Sequence, residues 1–543
     1  MFGRLFASIT TTGGHTMKVL VADDISRQGL EKLRVVPDIE IEVKTGLSEA
    51  ELAQAVRSAD ALLVRSQSKV TERVLESADR LKVIGRAGVG VDNIDVAAAT
   101  RRGIVVVNAP DGNTISACEH TFAMMIGLAR HIPRAHASVK AGVWDRKSFV
   151  GVELMGKTLA VIGMGRIGTE VAKRAKAFGM KVLGYDPFLT DDRAKELGIV
   201  KAALEEAVAA ADFITVHTPL TKETRHLIDA GMFARMKDGV RIVNCARGGI
   251  IDEQALCDAL AAGKVAGAAL DVYEQEPLPA DHPLRRFDNV IFTPHLGAST
   301  EEAQLNVAIV VAEEVANVLL GRPFRNAVNL PSLDKELSDY LAPYLVLGEK
   351  LGALLGQLSP QSMADIEIAY GGELALQDVS FLSRTVLKGL LSQRFADEVN
   401  YVNAPTLAQE AGISVREVKQ PKSTVFTSLL SVSAVTPQGR RRVAGTLYNG
   451  AGARIVQIDD YRIDMLPEGR MIYTEHVDRP GMIGRIGMIL GEADINIGSM
   501  QVGRRDTGGQ AVMLLSVDKP VPPEVLAAIG QIAGIHTIRS IEL

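Results

Sequence analysis

Three side chains in the middle of this chain are of the types that can move a proton and hold an anion: Arg247, Glu276 and His295. Each follows an apolar run and precedes glycine or proline, where strand ends give way to turns. Arg247 comes after Ile242-Val243-Asn244-Cys245-Ala246 and before Gly248-Gly249. Glu276 comes after Leu270-Asp271-Val272-Tyr273 and before Pro277, and His295 after Ile291-Phe292-Thr293-Pro294 and before Gly297. An imidazole changes charge near neutral pH and suits a general base. A carboxylate on its other nitrogen fixes the tautomer, and a guanidinium forks onto a carboxylate. Singly they have bland explanations: a packed histidine, a solvated acid, a surface ion pair. Together, downstream of a nucleotide motif, they point to catalysis.

That motif is Gly163-Met164-Gly165-Arg166-Ile167-Gly168, a match to G-x-G-x-x-G. Alone it is weak, and its context gives it force. It follows an apolar run, Leu159 to Ile162, and opens a helical pattern with Ile167, Val171, Ala175 and Phe178 on one face, stopped by Gly179. Gly163 permits a tight turn, Gly165 lets backbone approach a pyrophosphate, and Gly168 allows close helix–strand packing. The helix N-terminus offers unpaired N–H groups to phosphates. Asp186 ends the next strand, 18 residues after Gly168, and is followed by Pro187-Phe188 rather than Arg. An acid there binds ribose hydroxyls and repels a 2′-phosphate, which favours NAD over NADP.

The elements that must hold these residues follow from the alternation of short apolar runs and helical stretches. Strands are expected at Lys18 to Ala22, Ala61 to Val64, Val83-Ile84 and Val105 to Val107. A second series lies at Leu159 to Ile162, Val182 to Tyr185, Phe213 to Val216, Ile242-Val243 and Ala268 to Leu270. Such alternation predicts two doubly wound, Rossmann-like α/β domains with a cleft between them. Past Asn329-Leu330-Pro331 an α+β segment, with strands such as Ile366 to Tyr370 and Val443 to Leu447, carries no chemical motif. The last part reads strand (Met471 to His476), helix (Met482 to Leu490), two strands (Ile495 to Gln501, Ala511 to Val517), helix (Glu524 to Ala533), strand (Thr537 to Glu542). That order is ferredoxin-like.

The blocks Asn244 to Gly249, Asp271 to Pro277 and Thr293 to Ala298, with Gly163 to Pro187, resemble the D-2-hydroxyacid dehydrogenases. The resemblance implies hydride transfer to NAD, with His295 as base, Glu276 as its partner and Arg247 on the substrate carboxylate. It also implies cofactor contacts from Gly163, Gly165, Arg166, Ile167, Gly168, Asp186, Thr218, Cys245, Ala246, Asp271, Gly297 and Ala298. Cys245 and His217 are read as packing or backbone-positioning residues rather than chemical participants. Val64-Arg65-Ser66 and Arg86 to Asn93 resemble the substrate-domain blocks, implying substrate contacts from Arg65, Ser66, Gly88, Val89 and Asn108, with Arg146 as a weaker candidate. Some relatives carry a second Arg where this chain has Gln67.

Simple relatives end near Arg322-Pro323, and here some 220 residues follow, in the arrangement of the family's long form with an intervening domain and an ACT domain. This implies 3-phospho-D-glycerate as substrate, L-serine as effector at His476, Asp478 and Asn496, and a homo-oligomer, a tetramer by family expectation. Arg440-Arg441-Arg442 reads as a solvated basic turn. The expected divisions are an extension at 1–16, a substrate domain at 17–113 with 298–330, an NAD domain at 114–297, an intervening domain at 331–465 and an ACT domain at 470–543.

Composition fits and excludes. The 543 residues ask for three or four domains at about 150 residues each. Sixty basic against 65 acidic residues, a net charge of −5, leave no basic face for nucleic acid. Cys118, Cys245 and Cys257 are too few and scattered for a disulfide framework or zinc site, so no metal and a reducing, cytoplasmic setting are expected. No apolar run is long enough to span a membrane; the best, near Val307 to Leu320, is broken by Glu313-Glu314. Residues 1–16 lack the apolar run of a secretory signal. Two alternatives remain. One is another 2-hydroxyacid dehydrogenase, of hydroxypyruvate or 2-hydroxyglutarate type; the other is an NAD-binding corepressor on the same scaffold. Glu276 argues against formate dehydrogenase.

Overall fold

In a computed structural model, which describes residues 16–360, 363–422, 425–448 and 452–543, the chain folds around four sheets. The expected extension, apart from Thr16, lies outside the described residues. The first sheet has five parallel strands in the order Ile39–Val43, Met17–Val21, Ala61–Val64, Val83–Arg86, Val105–Val107. Its inner strands are continuous β-branched and leucine runs, as burial on both faces requires. Ile39–Val43, not read from the sequence, is an edge strand whose alternating Ile-Glu-Ile-Glu-Val is only half-buried.

The chain crosses at 108–113 into the Thr114–Ala129 helix and a seven-stranded parallel sheet. Its order is Val290–Phe292, Val265–Leu270, Val240–Asn244, Phe213–Val216, Thr158–Ile162, Lys181–Tyr185, Val200–Lys201. Strand order reverses between Thr158–Ile162 and Phe213–Val216, the switch point where such sheets open a ligand crevice. The Glu301–Leu319 helix, capped by Thr300 accepting from the Ala303 N–H, then returns to the first sheet and packs on Arg27–Arg34 and Val83–Arg86.

Helices Lys335–Leu358 and Ser380–Phe395 pack on each other, the first also against a six-stranded mixed sheet. A four-stranded antiparallel sheet of order Ile497–Arg504, Gln510–Val517, Arg470–Val477, Ile535–Glu542 follows, with helices Met482–Glu492 and Pro523–Gly530. Both Rossmann-like units, the mixed sheet and the ferredoxin-like tail thus match the expected fold class. One apolar core runs from the first sheet through the Lys335–Leu358 helix to the tail's Met471, Tyr473 and Leu514, whereas the seven-stranded sheet has separate cores.

Three local expectations needed correction. Phe178 ends the glycine-motif helix half-exposed, its ring resting on Phe122 at 5.0 Å instead of pointing into the sheet with Val171 and Ala175. Ile483, which helical spacing with Ile486 and Leu490 would put on the tail helix's inner face, is 48% exposed, because Met482 takes that place. The next strand starts at Ile497, not Ile495, since the Ile495 N–H closes the preceding helix on the Leu490 carbonyl.

Candidate active site

The glycine turn has the close packing its sequence asks for. A Cβ on Gly168 would sit 2.0 Å from the Gly163 carbonyl oxygen, so any side chain there would force the helix off the strand. Gly163, at φ +97°, makes the turn. The Cβ position of Gly165 faces open space, as a turn that admits a bulky phosphate ligand must. Asp186 stands at the end of the neighbouring strand, where its carboxylate accepts from the Met164 N–H at 2.9 Å and the Phe188 N–H at 2.8 Å. Across the switch point the buried Thr218 hydroxyl has no hydrogen-bond partner among the described residues. An open glycine cradle, an acid at the strand end and an unsatisfied hydroxyl fit a dinucleotide. Arg166 turns to pair with Asp111 on the crossover, beside an open cleft lined by Thr114, Gly165 and Lys173. Ile167 is half-buried on the same helix.

His295 and Glu276 meet. The His295 Nδ1 lies 2.8 Å from Glu276 Oε2, and Glu276 Oε1 accepts from the Tyr273 N–H at 3.1 Å. The two loops are fastened to each other. His295 has φ +56°, a conformation held by its N–H on the Asp271 carbonyl, and the buried Asp271 carboxylate accepts from the Leu296 N–H at 2.7 Å and the Gly297 N–H at 2.9 Å. Gly248, next to Arg247, passes so near the Glu276 loop that a Cβ would lie 1.8 Å from the Tyr273 carbonyl oxygen. Cys245 is buried between these loops, where desolvation and the Asp271 charge push its thiol up to about 12 and leave it unreactive. Ala246 donates its N–H to Asn244 Oδ1, fixing the turn. Ala298 is half-buried at the end of the histidine loop. Burial pushes His217 down to about 4, so it is neutral and bonds Thr215 Oγ1 at 3.0 Å.

Arg247 reaches across to the first lobe. Its Nε donates to Asp92 at 2.8 Å, its Nη1 to the Ala246 carbonyl at 2.7 Å, and its guanidinium lies over Gly90. Beside it stands Arg86, whose Nη1 folds over Gly88; burial and the Arg247 charge push it down to about 10, still cationic at neutral pH. Arg65 belongs to the same charged group, and its N–H is pinned by Asp23 Oδ2 at 2.6 Å. Arg86 and Asp92 were missed as site residues, although both sit in the glycine-rich block at a strand end. Four more of the expected substrate residues have these partners and exposures. Asn108 donates its amide to the Val89 carbonyl at 2.6 Å, so both hold the Arg86–Asn93 loop in shape. Ser66 is exposed beside Arg65. Arg146 lies on an exposed turn ordered by Asp145, and no contact among the described residues joins it to the other arginines.

In the tail, the imidazole of His476 is buried and bonds Thr474 Oγ1 at 3.1 Å. Asp478 accepts from Arg504 and the Gly508 N–H, both at 3.3 Å, and Asn496 is exposed at the start of the edge strand. No bond among the described residues links the three. Arg440, Arg441 and Arg442 lie on a strand, not a free turn; Arg441 bonds Glu475 Oε1 at 2.7 Å and Asp459 at 3.1 Å.

Sheet topology, glycine cradle and terminal acid define an NAD-binding dehydrogenase, and residues 122–297 match the D-isomer specific 2-hydroxyacid dehydrogenase NAD binding domain. Residues 340–459 match the D-3-phosphoglycerate dehydrogenase intervening domain and 470–534 an ACT domain. A D-3-phosphoglycerate dehydrogenase of Synechocystis is 49% identical, covering 97% of this chain and 95% of its own, and one of Archaeoglobus fulgidus is 48% identical over 97% and 100%. The chain belongs to the D-3-phosphoglycerate dehydrogenase family. Among solved structures, a glyoxylate reductase from Paecilomyes thermophila superposes with TM-score 0.54 at 30% identity, over 58% of this chain and 98% of its own. A D-lactate dehydrogenase from Aquifex aeolicus, complexed with NAD and lactic acid, gives 0.50 at 32%, over 58% and 100%. No helix among the described residues is long and apolar enough to cross a membrane.

Proposed function

We propose that this protein oxidises 3-phospho-D-glycerate to 3-phosphohydroxypyruvate with NAD, the first step of L-serine biosynthesis, as a cytoplasmic homo-oligomer. The observation that carries the reading is the His295–Glu276 hydrogen bond; Arg247, bonded across the lobes to Asp92, and the neighbouring charges of Arg86 and Arg65 supply the anion-binding side. Glu276 holds the Nδ1 proton, which leaves Nε2 with a lone pair to take the proton of the substrate hydroxyl. The same carboxylate then stabilises the imidazolium that forms. Arg247 grips the substrate carboxylate and orients the carbon that loses hydride. Bound NAD supplies the hydride acceptor, held by the Gly163–Gly168 turn, Asp186 and Thr218. Arg65 and Arg86 present the charge a phosphate needs at the far end of a three-carbon substrate. L-serine is the proposed effector, acting at the tail through His476, Asp478 and Asn496.

Steady-state NAD reduction with 3-phosphoglycerate, against D-glycerate and 2-hydroxyglutarate, tests the reading. Two charge-assisted phosphate contacts predict a kcat/KM preference of at least about 100-fold for the phosphorylated acid. Equal rates would make it a different 2-hydroxyacid dehydrogenase.

A further inference from the structure

We propose that His120, on the crossover helix, is a positioning residue for hydride transfer, acting through Thr293 and Asp271 on the loop that carries His295. This rests on the dehydrogenase reading above. The His120 Nε2 lies 3.2 Å from both Thr293 Oγ1 and Asp271 Oδ1. Thr293 donates its own hydroxyl proton to Asp271 Oδ1 at 2.6 Å, so its oxygen has only lone pairs left for the imidazole. An ionised carboxylate likewise only accepts. Both contacts therefore require a proton on Nε2, and His120 closes a three-membered ring of donors and acceptors.

What hangs on that ring is the histidine loop. Asp271 is fully buried, and its two oxygens accept from the N–H groups of Leu296 and Gly297, immediately after His295. Burial works to raise this carboxyl, but the bonds from His120, Thr293 and Leu296 hold it below the usual range and keep it ionised. The Thr114–Ala129 helix grips the loop a second time, one turn earlier, where Ser116 Oγ donates to the Gly297 carbonyl at 2.9 Å. The helix that begins at the crossover between lobes is thus bonded to both ends of the segment that holds His295 at positive φ. Removing the His120 donor leaves a buried, under-bonded carboxylate and frees the loop. The helical position gave no sign of this in the sequence, since Cys118-Glu119-His120-Thr121 is an ordinary polar stretch.

The test compares H120A, H120F and H120Q. The amide nitrogen of Gln can reach the place of Nε2, and Phe keeps the ring without a donor. Expected is a fall in kcat of about 10- to 100-fold and a weakening of NADH binding of about tenfold in H120A and H120F, the size of one lost charge-assisted bond in a buried site. KM for 3-phosphoglycerate should move by less than about threefold, and H120Q should recover to within about threefold of wild type. T293V should reproduce the loss, and in the H120F/T293V double variant the losses should not add. Wild-type values in H120A and H120F, an H120Q as impaired as H120F, or additive losses with T293V would each overturn the proposal. Should H120A fail to fold, H120F carries the comparison. If wild-type protein turns over no 2-hydroxy acid, the functional reading fails, and NADH binding of the same variants, followed by fluorescence, still decides the role of His120.

Discussion

The catalytic cleft and the C-terminal tail hold their polar side chains in opposite ways. In the cleft, Glu276 is within 2.8 Å of His295, Asp271 clamps the loop from below, and Arg247 is bonded across to Asp92. Each of these side chains is bonded to another residue of the same site. In the tail, His476 is turned inward onto Thr474, Asp478 is occupied by Arg504, and Asn496 stands exposed at a sheet edge. A preorganised site does chemistry without reorganising its dipoles, whereas groups bonded to separate partners must change partners to meet one ligand together. The difference accords with chemistry in the cleft and with the sensing proposed for the tail.

The largest effect should come from removing the proposed base. H295N should lower kcat by about 100- to 10,000-fold while NADH binding persists, measured by steady-state assay and fluorescence titration. A kcat within tenfold of wild type would erase the contrast with the tail. Next is the packing that preorganises the cleft. G248A should cost about 1–3 kcal/mol, read as a lower unfolding midpoint, because the Tyr273 carbonyl occupies the space of the new methyl.

The tail's anchor to the intervening sheet comes third. Burial alone would raise Glu475, but the Arg441 charge and hydrogen bonds from Tyr473, Arg441 and Thr537 hold it below its usual 4.5. A carboxyl lowered on folding adds stability in full above 4.5, and loses it as pH falls through the folded-state value. E475Q should therefore lose about 1–2 kcal/mol at neutral pH, and its thermal unfolding should converge with wild type in acid. The smallest effect sharpens the sensing side. N496A should raise the L-serine concentration for half-inhibition about three- to tenfold, the worth of one exposed hydrogen-bonding group. No shift would leave the tail as a purely structural dimerisation unit.

Much of the cleft was legible because strand ends in parallel sheets announce themselves. Gly163 to Gly168, Asp186, Arg247, Glu276 and His295 each follow an apolar run, and backbone periodicity alone brings such ends to one edge. Arg86 and Asp92 lay in a block already singled out, yet nothing in their spacing says which arginines face one another. Asn108 and Val89 came in through family resemblance, and their mutual hydrogen bond, a matter of loop shape, had no signal in the sequence. His120 carried no signal, since its partners are 151 and 173 residues away. The same limit explains Ile483, where helical periodicity allowed two faces and the sheet beneath chose the one with Met482.

By itself the sequence determined the inner strands of both parallel sheets, the cofactor turn, the choice of NAD and the chemical types at the strand ends, because these follow from local periodicity and the steric demands of glycine. Tertiary structure alone decided that His295 meets Glu276 through its Nδ1, that Arg247 bonds across the lobes to Asp92, and that a crossover helix fastens the histidine loop. Those are contacts between segments far apart in the chain, and their distances are set by how whole helices and sheets pack, which no local pattern of residues encodes.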